Sequence, residues 1–265
     1  MHFLNEKRQI EEASAKVVVA ADGSASLLAK ALGLSPQVKG RYALNARYYY
    51  KNVSGGPTDL CELYYFKGVC PGYFWIFPTD GSLFNVGIGM RLEDIQRDKV
   101  SLEEKMHDII SQKFAGRFAN AKQVTEVKQW GVSVLDGKRK WSGDGFVLVG
   151  DAGTFAMTFS GEGVGPSMRS GKIAAKAIAN SIKRGDYRIG GLKEFDKEMW
   201  KILEPEVSGF KWMEFLILHE AVFDRIAKKT AKSKELLEIS SRMQNDYTLA
   251  KKLVSPATIL KLLYT

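Results

Sequence analysis

The residues best suited to chemistry lie within one segment, "GFVLVGDAGTFAMTFSGEGVGPSMRSGKIAAKAI", residues 145–178. An apolar run ends on Gly150 and Asp151, and a glycine-punctuated loop then leads into a helix of small residues. A carboxylate at the C-terminal end of a strand suits a ribose hydroxyl, a donor that brings no competing charge. Gly161 and Gly163 in "SGEGVG" let backbone approach a ligand closely. Free N–H groups at the start of the following helix attract an electron-rich group. Alone, Gly-Glu-Gly-Val-Gly is loop punctuation and Asp151 a turn cap. With a strand before them and a helix after, they point to a ligand carrying hydroxyls and phosphates.

Other chemistries find little support. Cys61 and Cys70 are the only cysteines, no Cys-x-x-Cys occurs, and His2, His107 and His219 are scattered. Neither a disulfide framework nor a zinc site is expected, and two reduced cysteines suit the cytoplasm. The formal charge of +9 is spread along the chain. A nucleic-acid binder would cluster its charge with exposed aromatics, so no nucleic acid is expected. Attraction to an anionic membrane or a phosphorylated ligand fits the charge. The opening "MHFLNEKRQIEEASAK" is too polar for a signal peptide, and no apolar run reaches the ~20 residues of a spanning helix.

Two strand signals must position the chemistry. In "KVVVAADGSASLLAKALGL", residues 17–21 form a continuous apolar run of the kind buried on both faces. Asp22 and Gly23 break it, Ser24 or Ser26 can cap the next element, and "LLAKALGL" predicts a short helix closed by Gly33. Residues 146–149 repeat the pattern, with a helix near 166–184. Far apart in sequence, the two read as pieces of one α/β domain.

Between them the pattern is antiparallel. "RYALNARYYYKNV" and "DLCELYYF" predict strands, with turns at "SGGP" and "KGVCPG". "YFWIFPTDGSLFNVGIGM" predicts a hairpin, because Asp80-Gly81 supplies the two positive-φ positions of a tight turn. That two-residue loop sets Trp75 opposite Val86 and Tyr73 opposite Ile88. Tyr73, Trp75, Phe77, Phe84, Val86 and Ile88 then share one face, and Phe74, Ile76, Asn85, Gly87 and Gly89 the other. Both faces are apolar or small, so core covers one and a ligand can cover the other. Ser101 and Glu104 form a capping box for a helix with Leu102, Met106 and Phe114 at helical spacing. "QVTEVKQWGVSVL" reads as a return strand to the α/β part, and residues 186–265 as helices punctuated by Pro205 and Pro256. The expected fold class is an α/β domain interrupted by an antiparallel insert, α+β overall.

"VVVAADGSAS", "PGYFWIFP", "NVGIGM" and the long Gly-Asp segment, in this order, resemble the geranylgeranyl reductase family. These are flavoproteins within the wider p-hydroxybenzoate-hydroxylase-like group. The resemblance implies an FAD-dependent oxidoreductase that reduces double bonds of an isoprenoid (geranylgeranyl-type) chain. Hydride would come from reduced flavin, a proton would reach the other carbon, and NAD(P)H or a reduced electron carrier would be the donor. Asp22 and Gly23 would lie near the dinucleotide pyrophosphate, and Gly150 and Asp151 would form the Gly-Asp motif, with Asp151 on the FAD ribose. Gly161, Glu162, Gly163 and Val164 would lie beside the isoalloxazine ring. Tyr73, Trp75, Phe77 and Pro78 would wall the prenyl cavity. No proton donor is assigned, although Tyr73 and Cys70 are near the motif. Residues 1–38 and 140–185 would be a partial, Rossmann-like FAD-binding domain, residues 39–139 an antiparallel β substrate-binding domain, and residues 186–265 a helical C-terminal region.

The sequence departs from the family at two places. Met157-Thr158 stand where the family has Asn-Pro, which frees φ and adds a backbone donor. No Gly-x-Gly-x-x-Gly turn precedes the Asp-Gly strand. The FAD site is therefore expected to be incomplete in this chain, a C-terminal fragment whose other half lies on an N-terminal segment or a second polypeptide. That segment would supply the central strand, leaving residues 17–21 and 146–149 without a neighbour. A flavin monooxygenase of the same fold is the rival enzyme. A non-catalytic prenyl-lipid or partner-binding module that has lost FAD is the rival of another class. The expected location is cytoplasmic, with the lipid substrate and basic charge favouring peripheral contact at the inner face of the membrane.

Overall fold

The fold is taken from a computed structural model, which describes residues 2–4, 6–34, 40–157, 161–234 and 237–238. Three short strands open the chain, β1 (His2–Leu4), β2 (Ile10–Glu12) and β3 (Val18–Ala20), followed by helix α1 (Leu27–Ala31). An antiparallel region comes next, with β4 (Tyr42–Lys51), β5 (Glu62–Tyr64), β6 (Tyr73–Pro78) and β7 (Leu83–Arg91). Helices α2 (Leu92–Asp98), α3 (Leu102–Lys113) and α4 (Ala115–Phe118) precede β8 (Lys122–Gln123) and β9 (Lys128–Ser133). Then come β10 (Ser142–Gly143), β11 (Phe146–Leu148) and a 3-10 turn (Gly150–Gly153). Helices α5 (Val164–Arg184), α6 (Ile189–Leu218) and α7 (Glu220–Thr230) complete the order. None of the described helices is long and apolar enough to cross a membrane.

The chain forms two compact units. One combines Met1–Pro36, Gly137–Met157 and Glu162–Glu204; the other combines Gln37–Asp136, Thr158–Gly161 and Pro205–Thr265. In the first, β3 and β11 pair in parallel, with Val18 opposite Phe146 and Ala20 opposite Leu148. This corrects the expectation that the two runs stand without a neighbour across a missing central strand. Each apolar run satisfies the other's backbone groups, and β3 ends the sheet order β10-β11-β3. A further strand would add at the edge. Ser26 caps α1 by accepting the Ala29 N–H at 2.9 Å, and Gly33 follows the helix at φ +69°. The helical tail continues through Pro205, which lies inside α6 and does not end it; Pro256 lies outside the described residues.

The second unit is built on a sheet of order β5-β6-β7-β4, with β8 and β9 both pairing the far side of β4. "QVTEVKQWGVSVL" is thus not a return strand to the α/β part; it supplies this sheet's edge. Alternation along the strands sends Ala46, Tyr48, Phe74, Ile76, Val86 and Ile88 into one core with Leu102, Met106 and Ile109 of α3. Each fully buried aliphatic or aromatic side chain contributes about 1.5–3 kcal/mol relative to exposure. Ser101 caps α3, its Oγ accepting the Glu104 N–H.

The β6–β7 register differs by one residue from the predicted hairpin. Tyr73 pairs with Gly89, Trp75 with Gly87 and Phe77 with Asn85. The cause lies in the turn. Positive φ falls on Gly81 and not on Asp80, and the Leu83 N–H donates to the Asp80 carbonyl. The Thr79 N–H also donates to the Leu83 carbonyl, so Leu83 faces two residues and one extra residue is absorbed. A one-residue slip exchanges the faces of the partner strand. Phe84, Val86 and Ile88 therefore join the core, while Asn85, Gly87 and Gly89 lie beside the three aromatics.

Candidate functional site

Two places carry the predicted site residues, one in each unit. In the first unit, Gly150 turns the chain at φ +57° as β11 ends, and its N–H donates to Ser170 Oγ of α5 at 2.9 Å. Asp151 follows in the 3-10 turn, where burial pushes its carboxyl above the usual range. Among the described residues its carboxylate has no hydrogen-bond partner. Gly163 faces it, and a Cβ there would lie 3.3 Å from Asp151 Oδ1. A half-buried carboxylate lacking a donor, beside backbone with no side chain, fits a ligand hydroxyl. Thr154 closes the turn in the left-handed region at φ +60°, unusual for a β-branched residue, and Arg139 donates to its Oγ1 at 3.0 Å.

Asp22 has a different setting. Burial would raise its carboxyl, but the donors around it win. Ser26 Oγ (2.5 Å) and the N–H groups of Leu27 (2.9 Å) and Leu28 (3.3 Å) hold it below the ordinary value. Asp22 caps α1, and Gly23 supplies the turn at φ +78°. Glu162 caps α5 in the same way, accepting the Gly165 N–H at 2.7 Å. Val164 opens α5 and is exposed, and the Met157 N–H donates to the Glu162 carbonyl at 2.8 Å. Thr158 lies outside the described residues.

In the second unit, the sheet face opposite the core forms an apolar cavity of about 330 Å³. Tyr73, Trp75 and Phe77 of β6 wall it, with Val132 of β9, Val134 just beyond it, and Asn45 of β4. Pro78 is not among its walls, because alternation turns it to the other face opposite Phe84. Glycine is required beneath the aromatics. A Cβ at Gly87 would lie 2.3 Å from the Trp75 ring and 2.6 Å from the Ala46 carbonyl. The Trp75 Nε1–H donates to Asn85 Oδ1 at 3.0 Å, which fixes the indole plane. Arg41 and Arg91 stand at the same cavity, Arg91 paired with Asp94 at 2.7 Å. Gly161 also lines it, and a Cβ there would lie 3.2 Å from the Tyr73 hydroxyl. Burial pushes the Tyr73 phenol up to about 12, so it keeps its proton.

Among the sequence-predicted residues, Tyr73, Trp75, Phe77 and Gly161 come together at the cavity, and Gly150, Asp151 and Gly163 at the strand end. Asp22 and Glu162 are engaged as helix caps. Sequence reasoning missed Asn45, Arg41, Arg91, Val132 and Val134. The alternation Asn85-x-Gly87-x-Gly89 was the available signal, since glycine inside a strand marks close approach.

The family model of the geranylgeranyl reductase catalytic domain matches residues 42–130, which hold most of the cavity's walls. A digeranylgeranylglycerophospholipid reductase of Methanosphaera stadtmanae is 30% identical over 94% of this chain and 61% of its own length. One from Methanococcoides burtonii is 30% identical over 72% of this chain and 45% of its own. The chain spans about half the length of the curated relatives it matches. A geranylgeranyl bacteriochlorophyll reductase-like protein of Thermoplasma acidophilum shares the fold, with a TM-score of 0.71 at 22% identity over 97% of this chain and 60% of its own. The fold is that of flavin-dependent oxidoreductases and halogenases. Over residues 42–130 the chain matches the geranylgeranyl reductase catalytic domain, and its likeness to these reductases extends over most of its length.

Proposed function

We propose that the chain is part of an FAD-dependent oxidoreductase that reduces double bonds of a prenyl lipid. The observation that carries this reading is the cavity, whose apolar walls of Tyr73, Trp75 and Phe77 meet Gly161 of the glycine-rich loop. The related reductases are named for a digeranylgeranyl lipid, which supports a chain of that type as substrate. For the cofactor, the fit is partial. The Asp151 carboxylate would hold a ribose hydroxyl, and Gly163 leaves room beside it. A pyrophosphate cradle is not supplied by Asp22, whose carboxylate is engaged within its own turn. Bound and reduced, FAD would supply a hydride to the alkene. The residues of this chain would seat the prenyl chain against the aromatics and exclude water from it.

Among the described residues β3 ends its sheet, with Val19 exposed, which supports a further strand supplied by an N-terminal segment or a second polypeptide. NAD(P)H or a reduced carrier would be the electron source. A prenyl-lipid-binding module without flavin is a second reading, favoured by the consumption of both Asp22 and Glu162 as caps. One experiment separates them. The chain is titrated with FAD and, separately, with geranylgeranyl lipid, and the lipid's mass is followed after chemical reduction of the flavin. FAD binding with mass gain at the double bonds supports the reductase. Lipid binding with no flavin affinity, even when the segment carrying the glycine turn is supplied, supports the module. Lipid binding unchanged by Trp75→Ala would overturn both.

A further inference from the structure

The cavity face of the sheet continues outward past β4, and its character changes there. Arg47 of β4 lies directly opposite Lys128 of β9, and Lys51 directly opposite Lys122 of β8. Residues 46, 48 and 50 point into the core, so 47, 49 and 51 project from the opposite face, the one that carries the cavity. Like charges facing each other across an antiparallel pair destabilise it. Two such pairs follow one another along a single strand, and none of the four cations has an acidic partner among the described residues. Arg47 instead lies over the Tyr49 ring, its guanidinium 4.7 Å from the centroid. Glu126, in the connection between β8 and β9, is the acidic residue nearest in sequence.

The same face carries Trp130, paired with the cavity residue Asn45 and 64% exposed. Val132, two residues further along β9, is already a cavity wall. An exposed indole flanked by unpaired cations is the composition that settles at a lipid headgroup layer, ring toward the acyl chains and ammonium groups toward phosphates. A nucleic acid would be served by the cations alone and would leave the adjoining apolar cavity without purpose. We propose that Arg47, Lys51, Lys122, Lys128 and Trp130 form the surface by which the protein docks on an anionic phospholipid bilayer, at the rim of its cavity. The docking does not depend on the redox chemistry proposed above.

The test is co-sedimentation of the 265-residue chain with vesicles of phosphatidylcholine, with and without phosphatidylglycerol, at low and physiological salt. Binding should require phosphatidylglycerol and weaken with salt. Lys128→Gln and Lys122→Gln should each lower the partition coefficient about fivefold, following roughly 1 kcal/mol per cation at the surface. Neither should lower the melting temperature, because each removes a repulsion. Trp130→Ala should weaken binding too, and brominated lipid should quench wild-type fluorescence more than that of Trp130→Phe. Equal binding to neutral vesicles, no response to these substitutions, or loss of fold stability in the Lys variants would overturn the proposal. Tight binding of a nucleic acid that displaces the vesicles, or dimerisation abolished by Trp130→Ala, would also overturn it.

Discussion

Asp22 and Asp151 both follow a short strand of the same sheet, and each stands beside a glycine with positive φ, Gly23 at +78° and Gly150 at +57°. At the first turn the helix starts within a few residues, so its unsatisfied N–H groups reach back to the carboxylate and consume it. At the second, a 3-10 turn and a long loop separate Asp151 from α5, and none of the described residues donates to it. The length of chain between carboxylate and helix decides whether the same dipeptide serves the fold or a ligand. One acid is lowered by its donors, and the other is raised by burial.

Four substitutions or titrations would sharpen or break this contrast. Asp151→Ala should weaken FAD binding by about 1.5–3 kcal/mol, the value of a hydrogen bond to a charged group, while leaving the melting temperature unchanged or higher. Unchanged FAD affinity would remove Asp151 from the ligand role. Asp22→Ala should do the reverse, costing about 0.5–2 kcal/mol of stability in denaturant titration with FAD affinity little altered. If FAD affinity collapses instead, the two turns are not so different. Glu162→Ala removes the cap of α5 and should cost about 0.3–1 kcal/mol, read by the same titration.

The smallest effect is in pH. Asp22 is lowered in the fold, so its contribution is present above about pH 4 and is lost as pH falls through its folded value. Asp151 is raised, so its contribution is present below about pH 4 and is lost as pH rises through its folded value. Asp22→Asn should therefore flatten the acid limb of a stability–pH curve, and Asp151→Asn the decline just above it. Identical curves for the two variants would erase the distinction.

The strand-turn-helix units were readable because a run such as residues 17–21 leaves little alternative, and so were the capped starts of α1 and α3. The pairing of β3 with β11 was not, since nothing in either run names its neighbour. The three aromatics of β6 were correctly kept together by strand alternation, but the residues sharing their face were not. A two-residue turn and a turn that absorbs one more residue differ only in where φ turns positive. The cations of β4, β8 and β9 looked diffuse in sequence because register, which sets Arg47 against Lys128, is invisible there.

The parallel pairing of Val18 with Phe146 also bears on how the chain folds. In the large sheet β5, β6 and β7 pair as sequence neighbours, and the wider β4–β7 and β4–β9 pairings, whose outermost pair joins Tyr42 to Ser133, still close shorter loops than this one. The β3–β11 contact must instead bring together residues separated by that entire sheet. The antiparallel insert is then expected to assemble first and to act as the short tether that carries β11 to β3. The turn bearing Asp151 would take shape in the late phase of refolding, where its formation could be followed separately from that of the cavity.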